Sequence, residues 1–158
     1  MRRRLLLVIV ALLLGTEPAW AEEQGAPAVD GLVSLKSHHD VKTTIDRLQA
    51  VLTKQGITIV ARWPHDARAR DVGIDLRPTE LLIFGNPRLG SPLMTSRQTA
   101  GIDLPIKALA WQDEVGQVWL SYNDPAYIAR RHGIAHRADI IRKMSGALAK
   151  FSRLAAAP

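Results

Sequence analysis

The apolar positions change period along the chain, and the changes divide it into elements. Leu5 to Leu14 is an unbroken run of ten apolar residues behind Arg2, Arg3 and Arg4. Further on, Leu32-Val33-Ser34-Leu35-Lys36-Ser37 predicts a first strand. Asp40 is placed as a helix N-cap, and Val41, Ile45, Leu48 and Leu52 follow at helical spacing up to Gly56. An amphipathic helix is therefore predicted over 41–55. Ile57 to Trp63 alternates and is rich in β-branched residues, which predicts a second strand stopped by Pro64. Asp66 caps a short helix that ends before Gly73. Leu81-Leu82-Ile83-Phe84 is apolar on both faces and predicts a central strand from Thr79, covered from two sides. Ser91-Pro92 reads as a cap with proline in the first turn, opening a helix that Gly101 closes. Ile106 to Trp111 and Gln117 to Tyr122 flank Asp113-Glu114-Val115-Gly116 and predict a β-hairpin. Asp124-Pro125 starts a helix ending at Gly133, and Ile140, Ile141, Met144, Leu148, Phe151 and Leu154 predict a long amphipathic helix at the end.

The predicted order is β-α-β-(α)-β-α-β-β-α-α. It belongs to the α+β class, with helices packed on one sheet in two layers. One mixed β-sheet is expected, and the hairpin shows that it is not purely parallel.

The basic start, the ten-residue apolar run, Gly15 and Pro18, and the small residues of Ala19-Trp20-Ala21 form the pattern of a secretory signal peptide cleaved after Ala21. A ten-residue helix is about 15 Å long, half of a bilayer core, so no transmembrane anchor is expected after cleavage. The expected organisation is a signal peptide over 1–21, a flexible lead-in over 22–31, an α+β domain over 32–135 and an amphipathic helix over 136–158. The expected location is the periplasm or the exterior. Cleavage removes three Arg and one Glu, so the formal charge falls from +6 to +4. That excess is modest and lies away from the genome, so nucleic acid is not an expected partner. The chain has no cysteine, which excludes disulfides, thiolate catalysis and Cys-ligated metal.

Motifs of high specificity are absent: no P-loop, no G-x-G-x-x-G, no H-E-x-x-H and no G-x-S-x-G. The chemistry then rests on polar residues at the ends of strands and helices. His65 follows a strand, Arg77 precedes the central one, Asn86 leaves it, and Asp124 stands before a helix. These four are the candidate ligand-binding set, expected to converge in one cleft where His65 and Arg77 favour a small anion. His132 and His136 stand four apart and would share a helix face that could hold copper or zinc, although Gly133 between them interrupts the helix. His38-His39-Asp40 fits a solvated loop better than a metal site. Trp63, Trp111 and Trp119 are spaced for sheet faces.

Gly73 to Pro87, Asp103-Leu104-Pro105, Val118 to Pro125 and Arg131-His132-Gly133 together resemble the bacterial and archaeal family known as domain of unknown function 302. The resemblance covers about residues 35 to 135. It implies a compact α+β domain that pairs as a homodimer, and it implies no established activity. Two function classes stay open. One is a non-catalytic binding module for a small ligand. The other is a small enzyme with His65 as general base, Arg77 or Asn86 stabilising negative charge and Asp124 orienting the histidine.

Overall fold

The computed structural model describes residues 28–158. The expected signal peptide and most of the lead-in lie outside the described residues. Five strands and five α-helices follow one another as β1 (Leu32–Lys36), α1 (Val41–Lys54), β2 (Thr58–Pro64), α2 (His65–Arg70), β3 (Thr79–Gly85), α3 (Pro87–Ser96), β4 (Ile106–Gln112), β5 (Val118–Asn123), α4 (Pro125–Arg131) and α5 (Ala138–Ala156). A short 3-10 helix, Gln98–Ile102, lies between α3 and β4. The two-layer α+β architecture is the expected one.

The strands form one sheet in the order β1-β5-β4-β3-β2. Every pairing is antiparallel, so the sheet is not mixed. The reason lies in the connection. β1 and β2 run in the same direction, but the meander β3-β4-β5 is inserted between them. The β-α-β start therefore spans the whole sheet, with β1 and β2 at opposite edges and no two parallel strands adjacent.

One sheet face is covered by helices. Val118, Leu120 and Tyr122 of β5, Ile106, Ala108 and Ala110 of β4, and Leu82 and Phe84 of β3 are buried there. Helix α1 meets them with Val41, Ile45, Leu48 and Leu52, each on the same stripe of the 3.6-residue period. Asp40 caps it as expected, accepting the Thr43 N–H at 2.6 Å. Ala108 and Ala110 matter by being small, since α1 touches β2, β3, β4 and β5 and lies close over the middle strand. Helix α5 packs alongside α1, and its last turn is held from outside itself. Arg47 of α1 donates to the carbonyls of Ala155 at 2.9 Å, Ala157 at 3.0 Å and Leu154 at 3.2 Å. A cation is favoured at a helix C-terminus, where carbonyls lack partners. The Nε2 of His39 bonds the Ala157 carbonyl at 2.7 Å, so the loop expected to be simply solvated also anchors α5.

On the opposite face β3 is less covered among the described residues, where only the short helix α2 comes near it. Leu81 and Ile83 point there and are only half-buried. Tryptophans cover part of it. Trp111 and Trp119 stack with centroids 6.5 Å apart. Each indole N–H finds an acceptor, Trp119 on Asp113 at 2.7 Å and Trp111 on Ser121 at 2.8 Å. Ser121 also bonds Ser34 of β1 at 2.7 Å. Trp63, near the β2 edge, stays 46% exposed, with the Arg68 guanidinium over its ring.

Two helix starts differ from expectation. Helix α3 begins at Pro87 with Asn86 as its cap, and Pro92 lies inside it. Asn86-Pro87 carries the same cap-plus-proline signal as Ser91-Pro92, five residues earlier. Asp66 does not cap α2; it lies in the first turn and pairs with Arg70 at 3.1 Å. Gly31 answers a real steric demand. Its φ is +75°, and any Cβ there would overlap the ring of Tyr127.

An ion cluster joins α1 to the β2 edge. Arg62 donates to Glu80 and to Asp46, both at 2.7 Å, and Lys42 reaches Asp46 at 2.7 Å. The hydrogen bonds from Lys42 and Arg62 hold the Asp46 carboxyl below its ordinary range. A depressed carboxylate stabilises the fold above the ordinary aspartate value of about 3.9, and that contribution is lost as pH falls through the lower folded value. Asp46→Asn should therefore flatten the fall of Tm below about pH 4, measured by thermal denaturation across pH. Leu48→Ala, which opens a cavity in the core under α1, should lower the unfolding free energy by about 2–5 kcal/mol in urea titration. Arg47→Ala should cost about 1–2 kcal/mol by the same measurement, because three carbonyls lose a charged donor.

Candidate ligand pocket and polar clamp

The antiparallel register decides where the expected site residues go. Pro64 pairs with Glu80 and Thr58 with Gly85, so β2 and β3 run the length of the sheet in opposite directions. His65 and Arg77 consequently stand at one end of the sheet. Asn86 and Asp124, which follow the last residues of β3 and β5, stand at the other. The four do not gather in one cleft. His65 is half-buried at the start of α2, and its side chain makes no hydrogen bond among the described residues. Arg77 is exposed and donates to the Gln112 carbonyl at 3.1 Å. Asn86 and Asp124 serve as caps, accepting the N–H of Arg88 and of Ala126, each at 2.9 Å.

Of the four, Asn86 lies at a concave site. Below the turn Gly85-Asn86-Pro87 a pocket of about 460 Å³ opens between the ends of β2 and β3, helix α3 and helix α5. Leu52, Phe84 and Ile106 come from the core layer. Leu89 and Met94 come from α3, Leu104 and Pro105 from the segment before β4, and Met144, Ala147, Leu148 and Phe151 from α5. Thr58, Asn86 and Ser91 are its polar lining residues. The pocket lies where α3, capped by Asn86, leaves the end of β3 and α5 runs alongside α1 in the same helical layer. The wall is mostly apolar, and of the four expected residues only Asn86 belongs to it.

A second arrangement escaped the sequence reading. The segment from Ser96 to Asp103 faces the turn between α4 and α5, and polar contacts fasten the two. His132 Nε2 lies 2.7 Å from Asp103 Oδ2, and its Nδ1 lies 3.0 Å from Thr99 Oγ1. Arg131 reaches the other Asp103 oxygen at 3.3 Å. His136 Nε2 and Arg137 Nε meet the Ser96 hydroxyl at 3.1 and 3.0 Å. The two histidines therefore do not present one chelating pair. Helix α4 ends at Arg131, Gly133 takes a φ of +64°, and each ring turns to a different hydroxyl. Both nitrogens of His132 are engaged. Among the described residues no group of three or more His, Asp or Glu is placed to hold a metal ion. The i, i+4 histidines and the Asp103-Leu104-Pro105 motif were the available signals, but only the tertiary fold shows that they meet.

Comparison with known proteins agrees with this architecture. The family model described as Domain of unknown function DUF302 matches residues 33–151, which takes the match beyond 135 and through most of α5. The crystal structure of an uncharacterized conserved DUF302 protein from Bacillus stearothermophilus superimposes with a TM-score of 0.72, covering 80% of this chain and 99% of that one at 17% identity, so it shows the shared fold. Among curated proteins, the chain is 47% identical over 113 residues to the Fluoride-specific ion channel FluC 1 of Brucella suis biovar 1, and equally to FluC 1 of Brucella abortus biovar 1. These matches take in 72% of this chain but only 44% and 42% of the relatives, so the chain spans less than half of their length. Among the described residues no helix is long and apolar enough to cross a membrane. With a family match over three quarters of its length, the chain belongs to the DUF302 family.

Proposed function

We propose that this protein is a binding module for a small, largely apolar molecule, held in the pocket between α3 and α5. The carrying observation is the composition of that wall. Aliphatic side chains, two methionines and two phenylalanines enclose about 460 Å³, with Asn86, Thr58 and Ser91 among its few polar residues. A pocket of this size and polarity is what ligand sites in general look like, with orientation left to a few polar groups. Met94 and Met144 suit a ligand of irregular outline, since thioethers adapt to shape. The signal-peptide pattern supports placing this binding outside the cytoplasm. The channel name of the Brucella relatives belongs to proteins more than twice as long as the matched segment, and the proposal rests on the shared domain and its pocket.

The test is titration of the purified chain with N-phenyl-1-naphthylamine, an apolar dye that brightens when desolvated. Saturable enhancement at micromolar dye is expected. Ala147→Trp, which fills the pocket from α5, should weaken binding at least about tenfold, or 1.4 kcal/mol, with Tm retained. Equal binding by the two proteins would remove the proposal.

A further inference from the structure

The clamp between the Ser96–Asp103 segment and the α4–α5 turn contains two hydroxyl–histidine pairs, and they are chemically unlike. Ser96 Oγ donates its proton to the Pro92 carbonyl at 3.1 Å, so its contacts with His136 and Arg137 use its lone pairs. That hydroxyl is a fastening. Among the described residues, Thr99 Oγ1 has no partner other than His132 Nδ1, at 3.0 Å. The ring's other nitrogen lies 2.7 Å from Asp103 Oδ2. An ionised carboxylate only accepts, so Nε2 carries the proton. In the neutral ring Nδ1 is then an acceptor. The one proton of the Thr99 hydroxyl is thereby aimed at a base. The His132 and Asp103 side chains are only 8% and 10% exposed, whereas Thr99 is open to solvent. A buried base and its orienting carboxylate thus stand behind an accessible oxygen, the order of parts that activates a hydroxyl nucleophile.

We propose that Thr99 is an acyl-accepting nucleophile, with His132 as its general base and Asp103 as the group that sets the imidazole's tautomer, and that its substrates are carboxylic esters. Thr99 Oγ1 attacks the ester carbonyl carbon. A C–O bond forms, the hydroxyl proton passes to His132 Nδ1, and the carbonyl π pair moves to oxygen. Half-exposed Arg131, paired with Asp103, is a cation of the same cluster. Collapse breaks the bond to the leaving alkoxide, which takes the proton from Nδ1 and departs as alcohol. Water then repeats the sequence on the acyl-threonine, giving the carboxylic acid and the free hydroxyl. No oxidant, metal or further reactant is required. This activity is independent of the apolar pocket, though Met94 and Leu104, on either side of Thr99 in sequence, line that pocket.

The full chain is incubated with p-nitrophenyl acetate and, separately, with a fluorophosphonate probe, followed by peptide mass spectrometry. Hydrolysis above buffer and a phosphonyl adduct on the peptide containing Thr99 are expected. Thr99→Val keeps the shape and loses the hydroxyl, so it should cut hydrolysis at least about 100-fold and abolish the adduct with Tm unchanged. Thr99→Ser should retain both. Asp103→Asn should lower the rate and leave the adduct site the same, since it disturbs the tautomer and spares the nucleophile. The proposal is overturned if Thr99→Val hydrolyses as fast as the native chain, or if the probe labels any residue but Thr99.

Discussion

One helix bridges the sheet from edge to edge, and its contact with two alanines sets the geometry of everything else. β1 and β2 are neighbours in sequence but opposite edges in space, so α1 must cross the strands that separate them. Ala108 and Ala110 of the middle strand leave room for that crossing, and Ile45, Leu48 and Leu52 close over them. With α1 seated, α5 has a flank to lie against and Arg47 has carbonyls to hold. The space left beyond α1, where α3 swings out from the end of β3, becomes the apolar pocket. A bulkier middle strand would lift α1 and change the whole helical layer, because packed interiors tolerate little added volume.

Much of the fold was legible because local signals agreed with one another. The α1 stripe, its Asp40 cap, the hairpin around Asp113 and the Asp124-Pro125 helix start all carry short-range chemistry that the structure keeps. Strand order was not legible in the same way. Nothing within β1 or β2 says that three later strands will separate them, and element order alone does not tell a mixed sheet from an antiparallel one. Leu81 and Ile83 misled for a related reason. Their apolarity suits a face that tryptophans partly cover, and a run of four apolar residues does not tell such a face from one under helices.

The site divides along the same line. Residue type pointed to His65, Arg77, Asn86 and Asp124, and three of these turn out to spend their polar atoms on backbone groups. Cap residues and ligand residues look alike in a sequence, since both are short polar side chains at element ends. The pocket wall could not be read at all, because it is assembled mostly from apolar residues of six elements. His132 stood out as one of two histidines four residues apart. Its actual partners, Thr99 and Asp103, lie some thirty residues upstream and were joined to it only by tertiary structure.

The separation of β1 from its partner also has a meaning in time. Ser34 and Ser121 face each other across β1 and β5 although 87 positions separate them in the chain. In a polypeptide that emerges N-terminus first, the earliest strand is the last to find its hydrogen-bonding row. Until β5 arrives, α1 has no complete floor and the N-terminal third stays open, while β4 and β5 pair locally through a short hairpin loop. Assembly is thus gated from the far end of the molecule: the final strand of the sheet, not the first, commits the chain to its shape.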